Sequence, residues 1–194
     1  KFFEELIHEL QLRWSAMLRM KGEMDPLTFS DIQLILQSLL KVLRTKKEVS
    51  TVDKKAFEVL GQCLDVDLDS SSNQQIANEV LDIIEEALQP ASFGKPTMVN
   101  VYSCADSGIL ERFDSVISYY LPDSLPSAEE KDSVLSQILQ KTLQCLSIIS
   151  SNGDSRVIDA FVTFPTIIHV LTSFIDPSYM EKNADMCIIV LNIF

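Results

Sequence analysis

The chain has 194 residues, 46% hydrophobic and 23% charged, with 5 glycines and 7 prolines. This composition excludes disordered and fibrous classes and can supply the core of a single domain over residues 1–194. A net charge of −12, from 16 basic against 28 acidic residues, argues against nucleic acid as a partner, because phosphate backbones are bound by basic stripes. No apolar run approaches the roughly 18 residues of a membrane span, and no signal-peptide pattern follows Lys1.

The first predicted helix covers Phe3 to Met20, where Phe3, Leu6, Ile7, Leu10, Trp14, Met17 and Leu18 recur at spacings of three and four. Trp14 reads either as core or, with Phe2 and Phe3, as a docking face. Gly22 and Pro26 end this helix. Thr28 with Asp31 has the form of a capping box for a second helix, apolar over most of its circumference from Ile32 to Leu43. Lys41, Arg44, Lys46 and Lys47 form a basic cluster at its end, either offsetting the helix dipole or offering a dock for an acidic peptide.

Ser50 or Thr51 is expected to cap a third helix built on Ala56, Phe57, Val59, Leu60, Cys63 and Leu64. The polar turn after it contains Asp65-x-Asp67-x-Asp69, the opening of a calcium loop. Ser70, Ser72 and Ile76 then stand where that motif needs glycine, an apolar residue and glutamate, so the turn reads as acidic rather than metal-binding. Ser72 with Gln75 predicts the cap of a fourth helix, which Pro90 stops.

Residues 90–108 are read as a loop or, preferably, a short helix opened by Pro96. A helix from Gly108 uses Ile109, Phe113, Val116, Ile117 and Tyr120, and Tyr119-Tyr120 is a candidate contact point. Pro122 and Pro126 bracket a loop, and Ser127 with Glu130 makes a capping box. The long helix after it carries Val134 to Ile149. Ser150-Ser151-Asn152-Gly153 is expected to be a tight turn with Gly153 left-handed. A short helix follows over Val157–Phe161, and Pro165 starts another that runs to Phe174. Asp176-Pro177 breaks the second, and Ser178 with Glu181 caps the last.

Cys63, Cys104, Cys145 and Cys187 stand 41, 41 and 42 residues apart. A period in the low forties suits a helical-repeat stack, where each unit buries its apolar face against the next; four small buried residues falling evenly by chance is the alternative. With no C-x-x-C pair and no metal spacing to His8 or His169, the thiols read as free and buried, pointing to cytoplasm or nucleus. No G-x-S-x-G elbow or phosphate loop is present, so no catalytic residue, metal or cofactor is expected.

Residues 133–194 resemble armadillo repeats. Asn152-Gly153-Asp154-Ser155 leads into one short helix and two longer ones, and Ala184 with Leu191-Asn192-Ile193 is similar to the family's third-helix tract. The resemblance implies an all-α, armadillo/HEAT-like α-solenoid of stacked helix pairs or triplets. In peptide-binding members the asparagine matching Asn192 bonds the main chain of an extended ligand. Ile148 stands at the matching place in the preceding helix, so peptide binding of that kind is not carried over. The expected function is a non-catalytic scaffold or adaptor for a protein or peptide partner; the alternative is a regulatory helical domain of a larger enzyme, a kinase or a small-GTPase regulator. The apolar Leu191-to-Phe194 tract reads as one place where further repeats or domains of the same polypeptide adjoin.

Overall fold

The computed structural model describes residues 1–19, 25–45, 51–91, 94–120, 133–174, 177 and 184–193, with only the backbone of 156, 162, 165, 166, 170 and 173. The chain is all-α, with ten helices and no strand among the described residues. In order they are α1 (Phe2–Arg19), α2 (Pro26–Thr45), α3 (Lys54–Gln62), α4 (Ser71–Leu88) and α5 (Met98–Ala105). After them come α6 (Ile109–Ser118), α7 (Val134–Asn152), α8 (Ser155–Val162), α9 (Pro165–Ser173) and α10 (Ala184–Leu191).

The apolar stripes become the buried faces. Phe3, Ile7, Leu10 and Trp14 of α1 are buried, as are Ile32, Ile35, Leu36, Leu39 and Val42 of α2. Leu18 and Leu34, expected to be buried, are 59% and 64% exposed: Leu18 stands in the last turn of α1, and Leu34 lies on the side of α2 away from its buried arc. One apolar core runs from Phe3 to Val190. A fully buried Leu, Ile or Phe contributes about 1.5–3 kcal/mol. Exposed ion pairs such as Arg13–Asp31 (3.1 Å) contribute about 0–1 kcal/mol each. Apolar burial therefore holds the helices together.

Packing follows a simple order. Among the long helices α1 lies against α2, α2 against α4 and α4 against α7, and the short α10 lies against α7. Among the others α1 contacts α3, α3 contacts α6 and α6 contacts α9, while α5 contacts α8. Asn100, 2% exposed, ties three elements: its Oδ1 accepts from Val52 N at 2.8 Å and its Nδ2 donates to Ala87 O at 2.7 Å.

Several helix ends differ from expectation. Asp25, not Thr28, caps α2: its Oδ1 accepts from the Leu27 and Thr28 amides, and the Thr28 hydroxyl donates to its other oxygen. Pro26 thus opens the helix, where its missing N–H costs nothing. Asp53 rather than Thr51 caps α3, accepting from Ala56 N at 2.8 Å; Ser50 lies outside the described residues. Ser70 precedes α4, and Ser72 is already inside it. Asn73 and Gln74 reach back instead to the Asp67 and Leu68 carbonyls. Residues 90–108 hold both forms, a loop and then α5, whose N-cap is Thr97, so Pro96 stands outside the helix.

Ser133 caps α7 by accepting from Ser136 N at 3.1 Å; Ser127, Glu130, Ser178 and Glu181 lie outside the described residues. α7 continues through Ser150–Asn152, and Gly153 is extended (φ −77°, ψ 153°), not left-handed. Glycine is required there by crowding, since a Cβ would stand 2.5 Å from Val157 Cβ. The left-handed glycines among the described residues are Gly94, φ 60°, and Gly108, φ 78°, the latter between α5 and α6.

The four cysteines are free and buried, but they do not form a ladder. Cys63 follows the end of α3, Cys104 is near the end of α5, and Cys145 and Cys187 lie inside α7 and α10. Two stand at or near helix ends and two within helices, so the even spacing is not a repeated helix position.

Candidate partner-binding surface

Polar side chains line the junctions of α4 with α2 and α7. At one end Gln33 Nε2 of α2 donates to Glu79 Oε1 at 2.9 Å. At the middle Lys141 Nζ of α7 lies 2.6 Å from Asp82 and donates to Asn78 Oδ1 at 2.8 Å, while Asn78 faces Gln137. At the far end Arg44 of α2 meets Glu86 at 3.2 Å. Glu86, 7% exposed, also accepts from Ala91 N at 3.0 Å, so the buried carboxylate has two donors. Burial pushes the carboxyls of Glu79 and Glu85 above their usual range, with repulsion from Asp82 adding to both.

Lys41 is exposed on α2, next to the Arg44–Glu86 pair; Lys46 and Lys47 lie outside the described residues. Arg44 is thus part of a structural clasp as well as of the basic cluster. Trp14 is 1% exposed, and its Nε1 has no hydrogen-bond partner among the described residues. Its ring belongs to the core and presents no docking face.

Tyr119 and Tyr120 diverge. Tyr120 is 1% exposed, donates to Leu135 O at 2.7 Å, and its phenol is pushed well above the ordinary value by burial. It is a packing residue. Tyr119 is exposed, lies edge-on to Tyr120, and donates to Asp69 Oδ1 at 2.7 Å, a bond that raises its phenol. Asp65 pairs with Arg112 at 2.9 Å, and Asp67 accepts from Asp69 N. The three carboxylates of this turn therefore point to different partners. No group of three or more His, Cys, Asp or Glu among the described residues could hold a metal ion.

Asn192 is exposed just beyond α10, where its carbonyl accepts from Ser151 Oγ of α7 at 3.4 Å. Arg44 and Tyr119 stand near opposite ends of α4, about 25 Å apart at 1.5 Å per residue. These candidates do not form one site. Ile188 and Leu191 of α10 are 58% and 49% exposed. With Ala184 they make a stripe at i, i+4, i+7 opposite the buried Met186, Cys187 and Val190.

A cleft of about 330 Å³ lies between α1 and the start of α3, lined by Lys1, Phe3, Glu4, His8 and Asp53 among others. Its cations and carboxylates are mixed, and it converges on no single chemistry. The Cys63, Cys104 and Cys145 thiols are pushed far up by burial, which removes the thiolate that nucleophilic chemistry needs. No described helix is long and apolar enough to cross a membrane. No family model matches the chain, and no curated protein or solved structure is detectably similar to it.

The residues that sequence reasoning missed are Asn78, Glu79, Asp82, Glu86, Asn100 and Lys141. Their partners are 46, 42, 48 and up to 63 positions away. Asn78, Glu79, Asp82 and Glu86 are signalled in the sequence only as the polar interruption of the largely buried α4; Asn100 of α5 and Lys141 of α7 carry no such signal.

Proposed function

We propose that the chain is a non-catalytic protein-interaction module, an armadillo-like α-solenoid that presents its row of long helices to a protein or peptide partner. The observation that carries this reading is the order of packing. α2, α4, α7 and α10 follow one another, α1, α3, α6 and α9 do the same, and α5 is followed by α8. We read this order as two helix pairs, α1–α2 and α3–α4, succeeded by two triplets, α5–α7 and α8–α10. Stacked units of this kind bury one continuous core and leave a long face free for binding. Amides and charges between α2, α4 and α7, the apolar stripe of α10, and Asn192 make that face chemically mixed, which suits a peptide or helix. The raised thiols and mixed-charge cleft favour binding over catalysis.

Quantitative co-purification from cell extract tests the reading. Wild-type protein is compared with Q137R/N192A on the long-helix row, with K41E/K46E/K47E on the basic cluster, and with E5Q/E111Q as a surface control. Arg44 is kept because it clasps Glu86. The expected result is a defined set of proteins lost with Q137R/N192A and retained with the control. Partners lost only with the lysine variant move the site to the end of α2. Partners indifferent to both surface variants overturn the long-helix face.

A further inference from the structure

We propose that the seam holding α4 between α2 and α7 is a proton-responsive contact, tightening as the medium turns mildly acidic and loosening toward neutrality. α4 sends Glu79, Asp82 and Glu85 outward at i, i+3 and i+6, with Glu86 beside them. α2 answers with the amides of Gln33 and Gln37 and with Arg44; α7 answers with Gln137, Lys141 and the Cys145 thiol. α5 brings Asn100, spent on backbone groups, and Cys104. Both cations are committed: Lys141 to Asp82 at 2.6 Å and Arg44 to Glu86 at 3.2 Å.

Among the described residues, Glu79 and Glu85 are left half-buried with no ion pair of their own. Glu79 Oε1 takes the Gln33 amide and the Gln37 side chain approaches the same carboxyl, while among the described residues its Oε2 is out of solvent with no well-formed hydrogen bond. Ionising either carboxyl therefore places an incompletely answered charge between packed helices. Burial is the largest cause of the rise at both groups, and the glutamine amides, Lys141 and Arg44 only oppose it. A carboxyl whose folded pKa exceeds the unfolded one binds its proton more tightly when the seam is closed. Its stabilisation is complete below the unfolded value and is lost as pH rises through the folded value. The inference stands on the packing of three helices and not on the interaction reading, so either can fail alone.

The test is urea denaturation of the full chain at about pH 7.5 and about pH 5.5, with amide exchange of α4 corrected for intrinsic rates. Wild-type protein should show a higher midpoint and slower α4 exchange at the lower pH. E79Q/E85Q should have a raised midpoint at the higher pH and little pH dependence, and each single variant an intermediate one. E5Q/E111Q removes the same charge from exposed positions and should keep the wild-type response. A wild-type midpoint that is flat or falls on acidification overturns the proposal. So does a control variant that flattens the response as much as E79Q/E85Q, since the effect would then be net charge alone.

Discussion

Replacing Asn100 with alanine removes the one side chain that joins the entry to α3, the end of α4 and the start of α5. Val52 and Ala87, the residues it bonds, are each 1% exposed, so water cannot take its place without a rearrangement. The substitution leaves one N–H and one C=O buried and unpaired, at about 1–3 kcal/mol each. A loss of about 2–6 kcal/mol follows, a large share of a domain's typical 5–15 kcal/mol. Aspartate at the same place gives a sharper test. It keeps the acceptor for Val52 N but turns a second oxygen toward the Ala87 carbonyl, so its ionised form is penalised and its folded pKa is raised. The N100D penalty, measured against wild type, should be largest near neutrality and shrink as pH falls through that folded value. Urea denaturation followed by far-UV circular dichroism reads both. An N100A stability within about 0.5 kcal/mol of wild type at unchanged slope, the range of an ordinary surface change, refutes the reasoning.

Gly153→Ala should lower the melting temperature. Its φ of −77° suits alanine, so the lost chain entropy alone would stabilise by about 0.4–1 kcal/mol. The added Cβ would instead meet Val157 Cβ at 2.5 Å and Ile149 O at 2.9 Å, an overpacking of about 1–3 kcal/mol. The sign of the shift in a thermal melt decides between them. Val190→Asp, at a fully buried position of α10, separates a stack from a globular domain. In a stack, amide exchange should rise in α10 and α7 while α1 to α4 keep their protection; uniform loss of protection throughout the chain counts against the solenoid.

Helix content was legible because apolar spacing reports a local property. Ile109, Phe113, Val116 and Ile117 are buried as their periodicity requires. Helix ends were less legible for a physical reason. Several Ser, Thr and Asp residues lie around the starts of α2 and α3, and any of them can supply an oxygen. The choice of Asp25 and Asp53 depends on backbone angles that composition does not encode. Gly153 misled in the same way: glycine signals either a left-handed backbone or a close neighbour, and only the position of Val157 distinguishes them. Tyr119 and Tyr120 are adjacent in sequence, yet a step of about 100° along the helix end puts one in solvent and the other in the core.

The polar seam of α4 has a role that apolar packing cannot fill. Burial of Leu, Ile and Val is nearly indifferent to direction, so two apolar helices can slide past each other by a turn, about 5.4 Å, with a modest change in buried area. Gln33–Glu79, Lys141–Asp82 and Arg44–Glu86 each demand one partner at 2.6 to 3.2 Å. A one-turn slip of α4 would break all three together and strand the buried Glu86 without its arginine, at the cost of an uncompensated charge. Only Glu79 belongs to both sets: Asp82 and Glu86 fix the register of α2, α4 and α7 through their cations, and Glu85 contributes to the proposed proton response alone. Removing Glu79 and Glu85 while retaining Asp82 and Glu86 should therefore relieve the proton response and leave the two ion pairs to hold the register.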